Sequence, residues 1–441
     1  MCSTRNLKKI FSLIEWFFVF FLILSTNSVY FVSTSGWIRN LITYTMYLLP
    51  VLIGMITFIL LNKGMVSFSN RHVYFYIGYA IYFSVLIFTL VYPYEQNMKA
   101  FIVRFLVLPF SFLLYFIFLK KNNGVHSFFR KFSLLIHIIA VVALFFWIFG
   151  SLLHWINASS SLVINWGTTY KIPSFFGVYF ETQNMQVFGQ TIVRNTAIFT
   201  EPPMFSYIII ITLLGDLFYL KAGFRDIGFL FIVILTSGSA FGTSIVVLIA
   251  AYCYVRRLLV ANGYYFTRQV KQIISITGCI SIVLVIFVLY NRIVNGGGSV
   301  SIHMQDFVCG YQAWINHPFI GNGLNNFQSI ADHMSVIRLG SNGNSGISSG
   351  IVYVLAYGGI YWALFYILPI LLDLKYNLMK KSDFVIVDII FLLLIIFVEV
   401  YNLTLTLLLV MLIWQHLLDK DDRQLNWVHR RKSISNTEIG K

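Results

Sequence analysis

Charge is what this chain has least of. Only 11% of its 441 residues are Asp, Glu, Lys or Arg, while 58% are hydrophobic and 18% aromatic; a soluble domain carries about 25% charged residues. That scarcity excludes a soluble globular domain and implies a chain dissolved in lipid. Cysteine is scarce too, with four residues, of which the topology argued below leaves only Cys309 outside the cell. No disulfide framework and no zinc site follows from so few. Other signatures are missing: a glycine-rich nucleotide loop, an HExxH pair, and a DxD carboxylate pair to hold a metal on a nucleotide sugar. No cofactor and no metal is therefore expected.

What is present is a succession of apolar runs. A membrane helix needs about 20 mostly apolar residues, because the bilayer offers backbone groups no water and each must be bonded within the helix. The runs fall near 10–32, 41–61, 72–92, 101–119, 132–153, 204–220, 226–238, 240–255, 273–290, 347–370, 384–400 and 402–418. This reads as an all-α polytopic membrane protein with about twelve transmembrane helices. The pairs 226–255 and 384–418 are each short for two spans and long for one, and the placement of Lys and Arg decides for a hairpin at both. With both termini cytoplasmic, most of the 31 basic residues fall inside. Only Arg39, Lys99, Lys171, Arg194, Arg292 and Arg338 fall outside, and Arg104 sits at the outer end of a span. The net charge of +15 is then a topology signal, not a nucleic-acid footprint. Arg5, Lys8 and Lys9 before an apolar run resemble a secretion signal, but no small-residue cleavage site follows, so the first span is expected to remain.

The resulting organisation is helices one to five over 1–153, a first large extracytoplasmic loop over 154–203 and helices six to nine over 204–290. A second large extracytoplasmic loop over 291–346, the last three helices over 347–418 and a basic cytoplasmic tail over 419–441 complete it.

The two loops carry the chemistry. The second is the longest interruption of the apolar pattern and gathers Arg292, His303, Asp306, His317, Asp332, His333 and Arg338. Within it, FVCGYQAWINHP reads as a short amphipathic helix lying on the membrane and ended by Pro318. FIGNG reads as a tight turn whose Gly321 and Gly323 adopt conformations other residues avoid. The first loop is aromatic in its middle, with Trp166, Tyr170, Phe175, Phe176, Tyr179 and Phe180 suited to the membrane interface or to sugar faces. It ends in RNTAIFTEPP, where Glu201 before Pro202 and Pro203 reads as a helix start. A helix start does not explain Arg194, seven residues upstream, which is available to an anion. TSGSAFGTS, at 236–244, supplies small residues for close helix packing. Arg104 and Glu399 lie near outer span ends, where they snorkel or face a cavity. Against these functional readings, a histidine beside a proline is more often structural, and a run holding acid, imidazole and guanidinium is often simply solvated.

In order along the chain, RNTAIFTEPPMFS before a span, LTSGSAFGTSIVVLIA, QDFVCGYQAWINHPFIGNGLNNF and SSGIVYVLAYGGIYWALFYI together resemble the bacterial O-antigen polymerase and ligase superfamily. The likeness covers about 190–370; the first half is similar only in hydropathy. The resemblance implies a multi-pass protein of the bacterial plasma membrane. It would transfer a glycan from an undecaprenyl-pyrophosphate carrier to a hydroxyl of another glycan at the outer face, without metal, with arginines holding the pyrophosphate. Carried over by motif, Arg194 matches the first-loop arginine, Glu201 its acid and PFIGNG the glycine turn, while His333 is nearest to a histidine found late in the loop. The chain departs from the pattern at Gly238 and over Met304 to Asp306, where the superfamily often has further arginines; Arg338 or Arg292 would substitute.

The expectation is thus a polymerase of surface polysaccharide repeat units, whether O-antigen, capsule or exopolysaccharide. Its catalytic residues would be Arg194, Glu201, His333 and Asp332, with Arg338, Arg292, Arg104, Gly321 and Gly323 binding substrate. Its partners would be the lipid-linked glycan, the bilayer, a chain-length regulator and a flippase, with no nucleic acid. The rivals are a ligase delivering finished glycan to a lipid or wall acceptor, a polysaccharide flippase or transporter, and a purely structural membrane scaffold. The transporter is disfavoured by the absence of a clear repeat between halves and by few charges at mid-membrane.

Overall fold

The computed structural model describes residues 4–33, 36–62, 70–88, 98–121, 124–166, 168–187, 189–261, 299–324, 326–339, 346–347 and 349–419, with isolated positions between 262 and 298. The expected span at 273–290, Arg292 and all but the first residue of the basic tail lie outside the described residues.

Apolar runs become helices because a lipid environment leaves the backbone no other partner. α1 is Thr4–Leu24, α2 Gly36–Asn62 and α3 Asn70–Phe88. α4 is continuous over 98–121 with a π-helical turn at Val103–Val107. α5 is His126–Leu152 and α6 Pro202–Leu220; α7 is Phe224–Thr236 and α8 Ala240–Ala261. α9 is Ser299–Asn316, α10 Gly350–Met379, α11 Val385–Phe397 and α12 Thr404–Asp419. Among the described residues, six stretches, lying in α2, α4, α5, α6, α8 and α10, are long and apolar enough to cross a membrane. The chain is therefore a helix-dominated membrane protein. α7 and α11, at 13 residues each, reach only about 20 Å at the helical rise, short of a hydrocarbon core of about 30 Å.

Both expected hairpin breaks are helix breaks. α7 and α8 are separated at 237–239, where Gly238 has φ +60°. Gly242 approaches α6 so closely that a Cβ on it would lie 2.5 Å from the Ser206 hydroxyl oxygen. α11 stops at Phe397 instead of running to 400, which leaves Glu399 in the connector to α12.

The largest departure from the sequence reading is the first loop, which folds into two small antiparallel sheets. β1 (Ser160–Trp166), β2 (Thr168–Phe175) and β3 (Tyr179–Phe180) form one, and β4 (Asn184–Val187) and β5 (Gln190–Val193) the other. Side chains alternate across a strand, and the register sets Leu162 opposite Ile172 and Ile164 opposite Tyr170 on one face. Ile164 and Ile172 are buried on it, while Val163, Asn165, Thr169 and Lys171 point out. Phe175, Tyr179 and Phe180 are buried too, against Phe146 and Gly150 of α5. They form a small aromatic core rather than lining a membrane interface or a sugar face, while Phe176 stands exposed.

This sheet region is stitched to helix ends. Val29 N–H donates to the Ile198 carbonyl (2.8 Å) and Asn195 N–H to the Thr236 carbonyl (3.2 Å). Ser349, capping α10, donates to the Ile396 carbonyl of α11 at 2.8 Å. The start of α6, α8, α10 and α12 and the end of α1, α5, α7 and α11 thus gather at one loop-bearing face. Contacts at the other face are of a different kind. Glu15 of α1 is buried but pairs with Lys131 of α5 and accepts hydrogen bonds from Tyr115 (2.5 Å) and Ser127 (2.8 Å), as a buried charge requires.

α10 is kinked at Gly359, whose φ of +60° and ψ of −155° no helix contains. The glycine turn of the second loop docks into that kink. Asn322 and Gly323 N–H donate to the Ala356 and Tyr357 carbonyls (2.8 and 2.9 Å), and Ile360 N–H donates to the Pro318 carbonyl (2.9 Å). A kink strands backbone groups of the i to i−4 ladder, and the turn satisfies them.

Candidate functional site

Glu201 occupies the N-cap position of α6 with extended backbone (φ −143°, ψ 151°), and the two prolines fill the first helical positions. That part of the sequence reading holds: proline there loses an N–H that the helix would not have used. Tyr170 on β2 faces Glu201, and burial first, then the carboxylate, push its phenol above the ordinary tyrosine range. Arg194 follows β5 and reaches across to the α7–α8 turn. Its Nε donates to the Ser237 carbonyl (3.1 Å), Nη2 to the Gly238 carbonyl (2.9 Å) and Nη1 to Gln183 Oε1 (3.3 Å). A Cβ at Gly238 would lie 2.5 Å from Met185 Sδ and 3.5 Å from Arg194 Nε, so the glycine makes room for this clasp.

In the second loop α9 is longer than the short helix expected, and Trp314 closes its end by donating to the Pro318 carbonyl at 2.9 Å. Asp306 of α9 is fully buried. Its Oδ1 accepts from Arg338 Nη2 at 2.7 Å, and the same nitrogen donates to the Gly346 carbonyl at 2.8 Å. Arg338 itself is buried. It binds the loop together and has its charge matched by a carboxylate. His303, one turn before Asp306 on α9, places Nδ1 4.0 Å from Asp306 Oδ2 and is 37% exposed at the edge of this cluster. Cys309 donates its thiol to the His333 carbonyl (3.1 Å), and burial raises its pKa. Asp332 is exposed and accepts from Gln328 at 2.6 Å.

Gly321 and Gly323 take φ values of +68° and +102°, as the turn reading requires. Their work is docking. A Cβ on Gly321 would fall 2.4 Å from the Gly358 nitrogen, so only hydrogen at this position allows the turn to meet the kinked span.

The two loops converge at Glu399. This half-buried residue sits in the connector beyond α11, and burial, then Glu201, then Asp306 raise its carboxyl well above the ordinary range. One carboxylate thus comes from the end of the first loop, one from the second, and one from the last hairpin. Tyr353 of α10 adjoins Glu399 electrostatically and packs on Tyr357 and Tyr401 with ring centroids 5.2 Å apart in each pair. Behind this aromatic wall is Arg104, on the π-turn of α4. It donates to the Tyr401 carbonyl and to the Tyr366 hydroxyl at 3.2 Å, and its guanidinium lies 5.1 Å from the Tyr401 ring centroid. Neither a carbonyl nor a hydroxyl cancels its charge. A π-turn inserts one residue into a helix and is frequent at functional sites.

Of the residues expected to form a site, the structure relates Glu201, Arg338 and, through Tyr401, Arg104 to one neighbourhood. Arg194 stands on the same face at the α7–α8 turn, and His333 meets the cluster through its carbonyl. Asp332 lies on the loop surface. Asp306 and His303, gathered in the second loop without a role, and Glu399, read only as snorkelling or facing a cavity, join the expected residues, together with Tyr353, which the sequence reading does not single out. Their signal in sequence was cost: Glu399 interrupts one of the most apolar stretches of the chain, where a charge is tolerated only for a reason. Among the described residues no three His, Cys, Asp or Glu side chains come together so as to hold a metal ion. No protein-family model, no curated protein and no solved structure matches this chain.

Proposed function

We propose that the chain is a glycosyltransferase that polymerises undecaprenyl-pyrophosphate-linked oligosaccharide repeat units into a surface polysaccharide at the outer face of a bacterial plasma membrane. The observation that carries this reading is the Arg104 guanidinium resting on the hydroxyl of Tyr366 and on the carbonyl and ring of Tyr401, two residues along the chain from Glu399, on which Glu201 and Asp306 act electrostatically. In the reaction, the bond between the anomeric carbon and the carrier's pyrophosphate oxygen breaks, and a bond to an acceptor sugar oxygen forms. The hydroxyl proton goes to a carboxylate and the electron pair leaves with the lipid pyrophosphate.

Each step has a residue suited to it. Glu201 takes the proton, a carboxylate being one of the usual general bases. Arg104 and Arg194 are permanently charged, planar donors able to stabilise charge growing on the leaving pyrophosphate. Arg338 is assigned to anchoring, because its charge already serves buried Asp306. Tyr353, Tyr357 and Tyr401 offer ring faces to a sugar.

Purified chain in lipid vesicles, given a lipid-linked repeat unit, tests this. Products longer than one repeat are expected, with Arg104→Ala and Arg194→Ala each leaving the donor unconverted. Transfer of one preformed chain to a lipid acceptor without elongation would indicate a ligase. Passage of the donor across the vesicle membrane without transfer would indicate a transporter.

A further inference from the structure

Buried ionisable side chains within the helices are elsewhere provided for. Glu15 pairs with Lys131. Asp373 and Asp388 share the amide of Asn377 (3.2 and 2.7 Å), and His416 lies 3.2 Å from Asp373. Asp216, in the last turns of α6, is the exception. It is 1% exposed, and neither carboxylate oxygen makes a hydrogen bond among the described residues. Facing it is His137 of α5, whose Nε2 is 3.9 Å from Asp216 Oδ2 and likewise makes no hydrogen bond.

The other ring nitrogen fixes the tautomer. His137 Nδ1 lies 2.9 Å from the Ser133 carbonyl oxygen, which can only accept, so Nδ1 carries the hydrogen. In a neutral ring Nε2 then points a lone pair at a carboxylate. Two acceptors would face one another across a gap too long for a hydrogen bond and too narrow for a water bonded to both. A single proton resolves the conflict on whichever atom it resides, and a small rotation of either side chain closes the gap around it.

The surroundings add no alternative donor of charge. Ser133 Oγ is 3.2 Å from Nδ1 and is the one hydroxyl beside the Asp216 carboxylate among the described residues. Asp226, at the start of α7, is the other charged group facing Asp216. The ring of Phe229, also on α7, stacks on His137 with centroids 5.8 Å apart. Gly215 lets the Phe129 ring close over the turn, where a Cβ would be 2.4 Å from it. Apolar walls of this kind favour a neutral or internally compensated pair over a lone carboxylate.

We propose that Asp216 and His137 form an intramembrane proton-binding site that holds one proton between them at neutral pH. This stands apart from the glycosyl-transfer reading and uses none of its residues. The experiment is nitrogen NMR on the full chain, labelled at histidine nitrogens and held in lipid nanodiscs at neutral pH, with the His137 signals assigned by their loss in His137→Gln. Expected are a protonated Nδ1 and an Nε2 resonance displaced from that of a bare ring nitrogen, returning to it in Asp216→Leu. A bare Nε2 in the wild type would overturn the proposal, as would an Nε2 signal that Asp216→Leu leaves unchanged. Should Asp216→Leu not fold, the wild-type Nε2 signal alone decides, because a bare nitrogen there is incompatible with a bound proton.

Discussion

Arg104 on the loop-bearing face and Glu15 on the opposite one are held in opposite ways. On the face opposite the loops, Glu15 is matched by Lys131 and saturated by Tyr115 and Ser127. On the loop-bearing face, Glu201 and Asp306 both act electrostatically on Glu399, Asp306 is paired with Arg338 and lies near His303, and Arg104 rests on a carbonyl, a hydroxyl and a ring. A saturated ion pair is a fastening, and breaking it harms the fold. A guanidinium held by a carbonyl, a hydroxyl and a ring keeps its charge for a ligand, and Arg104 is expected to be dispensable for folding.

The sharpest break of this contrast is Arg104→Ala. It should cut polymer formation at least about a hundredfold, the scale of losing one positioned donor at a developing charge, with the yield of folded protein retained. Arg104→Lys should not restore it, since an ammonium cannot reach the Tyr401 carbonyl and the Tyr366 hydroxyl as a planar fork does. Product length on gels reads both.

Glu15→Ala should do the reverse. Leaving Lys131 buried and unmatched costs about 3–5 kcal/mol, seen as a lower unfolding midpoint in detergent, while the protein that does fold still polymerises.

Glu399→Gln sharpens the comparison through pH. Glu399 holds its proton more tightly folded than unfolded, so the stability it confers is present at low pH. That stability is lost as pH rises through its raised folded pKa. The glutamine variant should flatten that decline, read as the unfolding midpoint against pH. An unfolding midpoint that keeps the wild-type decline would show that Glu399 is not its source.

The smallest effect is expected at Asp332. Asp332→Asn should change stability by less than about 0.5 kcal/mol, as for an exposed surface substitution, and leave polymer length intact. His333→Ala, measured in the same assay, tests whether its imidazole contributes more than the backbone carbonyl that Cys309 uses.

How much of this was legible in the sequence depends on how local each cause is. Apolar runs announced the helices, and the placement of Lys and Arg around 226–255 and 384–418 announced the breaks. Glu201, Pro202 and Pro203 announced a helix start because capping is a matter of adjacent residues. The strands were missed although Leu162, Ile164, Tyr170 and Ile172 alternate as strands do, since each run is short and sits in an aromatic-rich segment that also suits a membrane interface. The pairing of Asp306 with Arg338 has no local signature, and neither has the meeting of Glu201 with Glu399. The glycine turn was recognised, but its purpose was not, because the kink at Gly359 that receives it is a tertiary fact.

The most direct measurement is a gel profile of surface and carrier-linked glycan from a strain lacking this gene, complemented with the intact chain, Arg104→Ala or Arg194→Ala. Single repeat units in the deletion, lengthened by the intact chain and by neither variant, are the predicted result. Long polymer at wild-type levels from both arginine variants, or a glycan profile that the deletion leaves unchanged, would contradict it.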